Sequence, residues 1–314
     1  MAARFELNDA DIPKLIPEAA ADGMPRSGGQ KVVVPIRLDG QRLALKVIRL
    51  LGSPPEPKRA EDLATEDATD TPKEEEAFAR ARREVGILSK ADIPQLARMG
   101  PVALTEAKVR GYRVAFYTEE WVEGKDLATL LKESGPIPPS ALVQLGLDMC
   151  HAIDWLWSRS TIHRDIKPGN IMQRPIGSFV LLDMGLALNL EESSLTVPGI
   201  TVGTLPYLSP EQLETPKKRA MDFRSDLYAL GVTMYEAATG THPYCKPGMS
   251  ESDTITRIRA ERPKDPHLVR TEIPEDLSEV IMRLLAKAPH LRYRSCPRLS
   301  EELETVSKTL KGTK

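Results

Sequence analysis

Cysteine is scarce: three in 314 residues. Cys150, Cys245 and Cys296 lie far apart, with no C-x-x-C pair. That spacing suggests neither a disulfide framework nor a zinc site, and the expectation is three reduced thiols in a reducing compartment. No apolar run approaches the roughly 20 residues needed to cross a bilayer. Residues 1–18 mix Arg4, Glu6, Asp9 and Asp11 with apolar residues, unlike a signal peptide. Neither sign of charge dominates, with 43 Lys and Arg against 45 Asp and Glu and a net charge of −2. That balance argues against bulk nucleic-acid binding, which needs a basic surface. No repeat recurs at solenoid periods. These absences lead to the expectation of a soluble cytoplasmic protein engaging neither membrane nor nucleic acid. They leave the oligomeric state open.

What is present is globular in composition: 41% hydrophobic and 28% charged residues, in a length of about two ordinary domain units. Val32 to Leu38 and Arg42 to Leu50 read as strands joined by the hairpin signal Asp39-Gly40. Residues 52–76 change character. They hold nine acids, three bases and four prolines, with no aromatic residue. Such a stretch cannot offset its ordering entropy by burial and reads as a flexible insert. A helix is expected from about Glu75 to Lys90, then strands around Pro101 to Leu104 and Tyr112 to Tyr117. Ser140 to Arg159, with Ser140 as N-cap, Asp226 to Thr239, Asp276 to Lys287 and Arg298 to Leu310 read as helices. The architecture expected is α+β: a small β-rich part followed by a larger helical part.

One cluster carries chemistry. His163-Arg164-Asp165-Ile166-Lys167-Pro168-Gly169-Asn170 is followed thirteen residues later by Asp183-Met184-Gly185. Phosphoryl transfer asks for this set: a carboxylate to accept a hydroxyl proton, a carboxylate and an amide to hold a divalent metal, and a lysine against the moving charge. Here the chain resembles the eukaryotic-like Ser/Thr protein kinase family. The resemblance covers nearly the whole chain and implies a bilobal fold, with an N-lobe over 1–121, including the acidic insert 52–76, and a C-lobe over 122–314. It implies Asp165 as base, Lys167 beside the transferred phosphoryl, and Asn170 and Asp183 on Mg²⁺. Leu43-Ala44-Leu45-Lys46 resembles the family's V-A-I-K strand, so Lys46 is implied to meet the ATP phosphates and Glu84 to pair with it. Residues 117–124 resemble the hinge between the lobes. The Glu120 carbonyl and Val122 amide would bond adenine there, Ala44 and Met172 would sandwich it, and Asp126 would meet the ribose. Gly203 to Glu211 resembles G-T-x-x-Y-x-A-P-E; with Lys167, Thr204 marks the Ser/Thr branch and is expected to bond the catalytic loop. Asp226 is implied to anchor that loop and Arg292 to pair with Glu211.

Three positions depart from the family pattern. The glycine-rich loop reads Arg26-Ser27-Gly28-Gly29-Gln30-Lys31-Val32-Val33, with Gly28, Gly29 and Val33 as implied nucleotide contacts. Arg26 and Lys31 stand in the first and third glycine places, and Lys31 offers a charge to phosphate. Met184 replaces Phe in D-F-G and fills the same apolar slot. Glu119 stands where apolar residues are common, and a carboxylate there needs a partner or an altered pKa. Arg164 is expected to pair with a phosphate on Thr201 or Thr196, Thr201 being favoured, or else with Glu191 or Glu192. The leading reading is an ATP- and Mg²⁺-dependent enzyme that phosphorylates Ser and Thr of proteins, itself included. The alternative is a pseudokinase scaffold, motivated by the glycine loop and Glu119. A small-molecule phosphotransferase is disfavoured by Ser209-Pro210-Glu211.

Overall fold

The computed structural model describes residues 6–28, 31–50, 71–184, 188–189, 204–214 and 221–312. The chain divides into two compact units, Met1–Asp92 with Ala97–Trp121, and Ile93–Leu96 with Val122–Lys314. In the first unit, Asp39 and Gly40 both take positive φ, 50° and 76°. This is the backbone of a two-residue hairpin whose twist matches its strands. Arg110 and Gly111 do the same at 51° and 81°. The two turns build an antiparallel sheet from β1 (Ala20–Ala21), β2 (Arg26–Gly28), β3 (Lys31–Leu38), β4 (Gln41–Arg49), β5 (Thr105–Val109) and β6 (Tyr112–Glu120). The strand order is β1-β3-β4-β6-β5, with β2 also paired to β3.

Side chains alternate between the two faces of a sheet. Val32, Val34, Ile36, Leu43, Leu45, Val47, Val114 and Phe116 fill a buried core on one face, together with Leu7, Ile12 and Leu15. The short α1 (Ile12–Leu15) contributes the last two. The opposite face carries Lys31, Val33, Ala44, Lys46, Tyr117 and Glu119, which follows from the pairs Lys31↔Ile48, Val33↔Lys46, Ala44↔Glu119 and Lys46↔Tyr117. The main helix of this unit is α2 (Thr71–Leu88).

Two expectations need correction here. Residues 71–76, read as part of the acidic insert, open α2 instead; Pro72 lies in the first turn, where its missing N–H costs nothing. The rest of the insert, including Thr65 and Thr69, lies outside the described residues. The strand expected at 101–104 is irregular, and regular pairing begins at Thr105↔Phe116. Pro101 has no N–H, and the Val102 amide is taken by the Thr118 hydroxyl at 2.9 Å.

The second unit holds β7 (Lys125–Asp126), α3 (Leu127–Ser134), α4 (Pro139–Trp157), β8 (Thr161–Ile162), β9 (Ile171–Gln173), β10 (Phe179–Leu181), β11 (Leu188–Asn189), α5 (Pro210–Glu214), α6 (Phe223–Thr239), α7 (Glu251–Ala260), α8 (Pro266–Val269), α9 (Glu275–Leu284) and α10 (Cys296–Gly312). Helix α6 is buried on nearly every side, from Phe223 to Ala238, as expected of a helix at the centre of a bundle. It packs against α4 and α9, and α10 lies on α4. Helix α4 starts with Pro139 at its first position after Pro138 as N-cap, so the cap expected at Ser140 is displaced: proline's fixed φ suits the first turn. Strand β10 is clamped by Asp148 of α4, which accepts from the Phe179 amide (2.9 Å), Gln95 (3.1 Å) and Gln144 (3.0 Å). This clamp fixes the segment that leads to Asp183.

Candidate active site

In the first unit the sheet's second face gathers four charges. Lys46 Nζ donates to Glu84 Oε1 at 2.9 Å, and Lys31 Nζ donates to the same oxygen at 2.9 Å. Lys46 also makes an ion pair with Glu119. Glu84 reaches the cluster from α2, and the other three come from β4, β3 and β6. Glu84, Glu119 and Lys46 are buried, at 2%, 2% and 5% exposure. Burial pushes the Glu119 carboxyl above its ordinary range, Glu84 pushes the same way, and Lys46 pulls against them. The partner that a carboxylate at position 119 requires is thus Lys46. Strand register explains it, because Ala44 lies opposite Glu119 and Lys46 is two residues along on the same face. Val33 lies opposite Lys46, and Gly28 pairs with Lys31 across β2 and β3; Gly29 lies outside the described residues. The Glu120 amide donates to the Arg98 carbonyl at 2.8 Å.

In the second unit the polar contacts of the candidate site centre on Asp165. Lys167 Nζ reaches both of its carboxylate oxygens, at 2.7 and 3.0 Å. Thr204 Oγ1 donates to Oδ1 at 2.9 Å, and Lys167 also reaches that hydroxyl at 2.9 Å. Asn170 Nδ2 donates to the Asp165 carbonyl at 2.8 Å and to its Oδ2 at 2.7 Å. The loop needs Arg164 at φ 68°, a region costly for side-chain-bearing residues. Asp226 of α6 holds it there by accepting the His163 and Arg164 amides at 2.8 and 2.9 Å. Burial raises the Asp226 pKa, against those amides and His163, which lower it. The Leu182 amide donates to the Asn170 carbonyl at 2.8 Å, and Asp183 follows at φ 64°. Val122 and Met172 are buried, and Met172 lies opposite Val180 and Asp126. Asp126 caps α3 with both oxygens, accepting the Thr129 amide and hydroxyl at 2.8 Å each.

Farther along this unit, Arg292 closes a bidentate pair on Glu211 at 2.7 and 2.9 Å. Burial would raise the Glu211 pKa, but the Arg292 bonds outweigh it and hold the carboxyl below its ordinary value. The Tyr207 hydroxyl donates to Glu236 at 2.7 Å. This pair has no motif to announce it, since Tyr207 and Glu236 stand 29 residues apart on different elements. Glu191, Glu192, Ser193, Ser194, Thr196, Thr201, Lys217, Lys218 and Arg219 lie outside the described residues, so the expectation of a loop phosphate opposite Arg164 has no structural counterpart here.

A protein kinase domain pattern matches residues 63–302. Among similar proteins, a probable serine/threonine-protein kinase of Corynebacterium efficiens is 32% identical over 243 residues, covering 74% of this chain and 35% of the relative. Serine/threonine-protein kinase PknB of Mycobacterium leprae is 30% identical over 230 residues, 73% of this chain and 36% of the relative. A probable serine/threonine-protein kinase of Clostridium perfringens is 28% identical over 234 residues, 74% of this chain and 33% of the relative. The chain spans about a third of the length of the curated relatives it matches. With more than half of its length matched by that pattern, this chain belongs to the protein kinase domain family.

Proposed function

We propose that this chain transfers the γ-phosphoryl group of ATP to Ser and Thr hydroxyls of proteins, with Mg²⁺ as cofactor. The observation that carries the reading is the convergence of Lys167, Thr204 and Asn170 on Asp165. A carboxylate so held is aimed and cannot rotate away. Asp165 takes the proton of the acceptor hydroxyl as it attacks. Lys167 brings a positive charge beside the phosphoryl group in flight, and the Thr204 hydroxyl locks the two side chains together. Lys46, braced by Glu84, meets the nucleotide phosphates.

The donors suit a hard cation. Asn170 spends its amide nitrogen on Asp165 and keeps its oxygen as a ligand, while Asp183 adds a carboxylate. Mg²⁺ is bound by one or two carboxylates plus substrate phosphates rather than by an all-protein cage. When bound, the cation neutralises charge on the phosphates. Gly28, Gly29, Val33, Ala44, Glu120, Val122 and Met172 complete the nucleotide contacts. A ribose contact by Asp126 would share the oxygens that cap α3. No helix among the described residues is long and apolar enough to cross a membrane. The three free cysteines support a reducing compartment such as the cytoplasm.

The test uses radiolabelled ATP with a generic basic protein, followed by phosphoamino-acid analysis. Asp165→Asn should lower turnover by about 100- to 10,000-fold with nucleotide affinity retained, the usual worth of a positioned base. Asp183→Asn should weaken Mg·ATP binding instead. Full turnover in both variants, or label appearing on tyrosine alone, defeats the proposal. Wild-type protein that binds nucleotide without transfer indicates a scaffold.

A further inference from the structure

The geometry points to Lys31 as a second phosphate-binding lysine, sharing with Lys46 the task that a lone strand lysine would otherwise perform. This inference rests on the kinase reading above and adds a residue to its nucleotide site. The two ammonium groups end at one atom, Glu84 Oε1, at 2.9 Å each, so they are close neighbours. They share a sheet face by register, because Lys31 pairs with Ile48 and Val33 with Lys46. Side chains directly and diagonally across neighbouring strands on one face are within reach of one another.

The charge balance supports this role. Two like charges on one carboxylate repel unless a second anion joins them, and Glu119 supplies it by pairing with Lys46. The cluster holds two cations and two anions. Glu119 is nearly fully enclosed, and burial favours its neutral form, so a buried carboxylate here is retained at a cost that the second lysine offsets. Counted on side-chain atoms alone, Lys31 is the most open to solvent of the four, at 18% exposure against 6% for Lys46, 2% for Glu84 and 3% for Glu119. It is therefore the cation most accessible to a polyphosphate. A lysine in this strand also lends charge where backbone amides would otherwise approach phosphate, the usual use of a glycine-rich turn. Neutralising Glu119 is the competing role for Lys31, and charge-matched variants separate the two.

The experiment measures affinity of the purified full chain for Mg·ATP and for adenosine. Wild type, Lys31→Met, Lys31→Arg and Lys31→Met/Glu119→Gln are compared, with thermal melts confirming that each folds. The expected result is a tenfold or greater loss of ATP affinity in Lys31→Met, with adenosine affinity unchanged and partial rescue by Lys31→Arg. The loss should persist in Lys31→Met/Glu119→Gln, where the cluster is again neutral. Should Lys46→Met retain measurable ATP affinity that Lys31→Met/Lys46→Met lacks, the two lysines share the load. Unchanged ATP affinity in Lys31→Met, equal losses for ATP and adenosine, or full recovery in Lys31→Met/Glu119→Gln each overturns the inference. Wild-type protein that binds neither ligand overturns the kinase reading itself, a distinct result.

Discussion

Replacing Arg292 by Leu should bring the second unit close to unfolding. The guanidinium is fully enclosed, at 0% side-chain exposure. It makes two bonds to Glu211 and one each to the carbonyls of Ala286, Arg224 and Lys287, all between 2.7 and 2.9 Å. Leucine supplies volume but no donor. Among the described residues, the Glu211 carboxylate then keeps the Ser225 hydroxyl as its one side-chain partner. Removing one member of a buried pair costs about 3–5 kcal/mol, and each stranded carbonyl adds about 1 kcal/mol or more. The sum reaches the lower end of the 5–15 kcal/mol by which a domain is ordinarily stable. Glu211→Gln should cost less, about 2–3 kcal/mol, because the amide oxygen still accepts from Arg292 and the three carbonyls stay satisfied. Urea unfolding followed by fluorescence of Trp155 and Trp157 reads both changes. Acid provides a second check. The Glu211 pKa is lowered on folding, so its contribution is complete above the unfolded value of about 4.3 and is lost as pH falls through the folded value. The stability gap between wild type and Glu211→Gln should therefore narrow toward pH 3. An Arg292→Leu variant within about 1 kcal/mol of wild type, or a gap that is flat in acid, would refute the reasoning.

Further expectations follow from other sites. His242 accepts the Tyr244 and Cys245 amides on Nδ1 at 3.1 and 2.9 Å, and burial lowers its pKa to about 4. Its ordinary value is about 6.5. The unfolded chain thus gains a proton first, and stability should fall from pH 6.5 to pH 4, by about 2 kcal/mol at pH 5; His242→Asn should flatten that slope in pH-dependent melts. Thr204→Val removes the hydroxyl from Asp165 and Lys167 and should lower kcat about tenfold, or about 1.4 kcal/mol, with melting unchanged; unaltered kcat counts against it. Gly124 sits at φ 132°, and a Cβ there would strike the Gln173 carbonyl, so Gly124→Ala should destabilise by several kcal/mol, of order 3. Gly86 of α2 has open space around it, and Gly86→Ala should instead stabilise by about 0.5–1 kcal/mol. Urea midpoints of the last two variants must move in opposite directions.

Much of this molecule follows from local pattern. The alternation in residues 32–38 and 42–50 and the Asp39-Gly40 turn specify a hairpin, because turn geometry and side-chain period act over a few residues. The apolar spacing of 140–159 and 226–239 specifies helices for the same reason, although their ends shift by a few residues. The order of Asp165, Lys167, Asn170 and Asp183 within one short stretch made the candidate site legible, since the segment that bears them is local. Element edges were less legible where one backbone group decided the outcome. Val102 lost its strand to the Thr118 hydroxyl, and Pro138 displaced Ser140 as the cap of α4.

Tertiary structure decided which charges meet. Lys31, Lys46, Glu84 and Glu119 are separated by up to 88 positions, and only strand register with the placement of α2 brings them onto one sheet face. Register turns on parity: a slip of one residue would send Lys46 and Glu119 into the apolar core. The Tyr207–Glu236 pair and the Asp226 grip on the His163 and Arg164 amides likewise depend on where α6 lies. Sequence by itself singled out the groups proposed to react. Packing decided their partners, because electrostatic interactions act through space and the energy of a buried charge depends on every neighbour the fold sets around it.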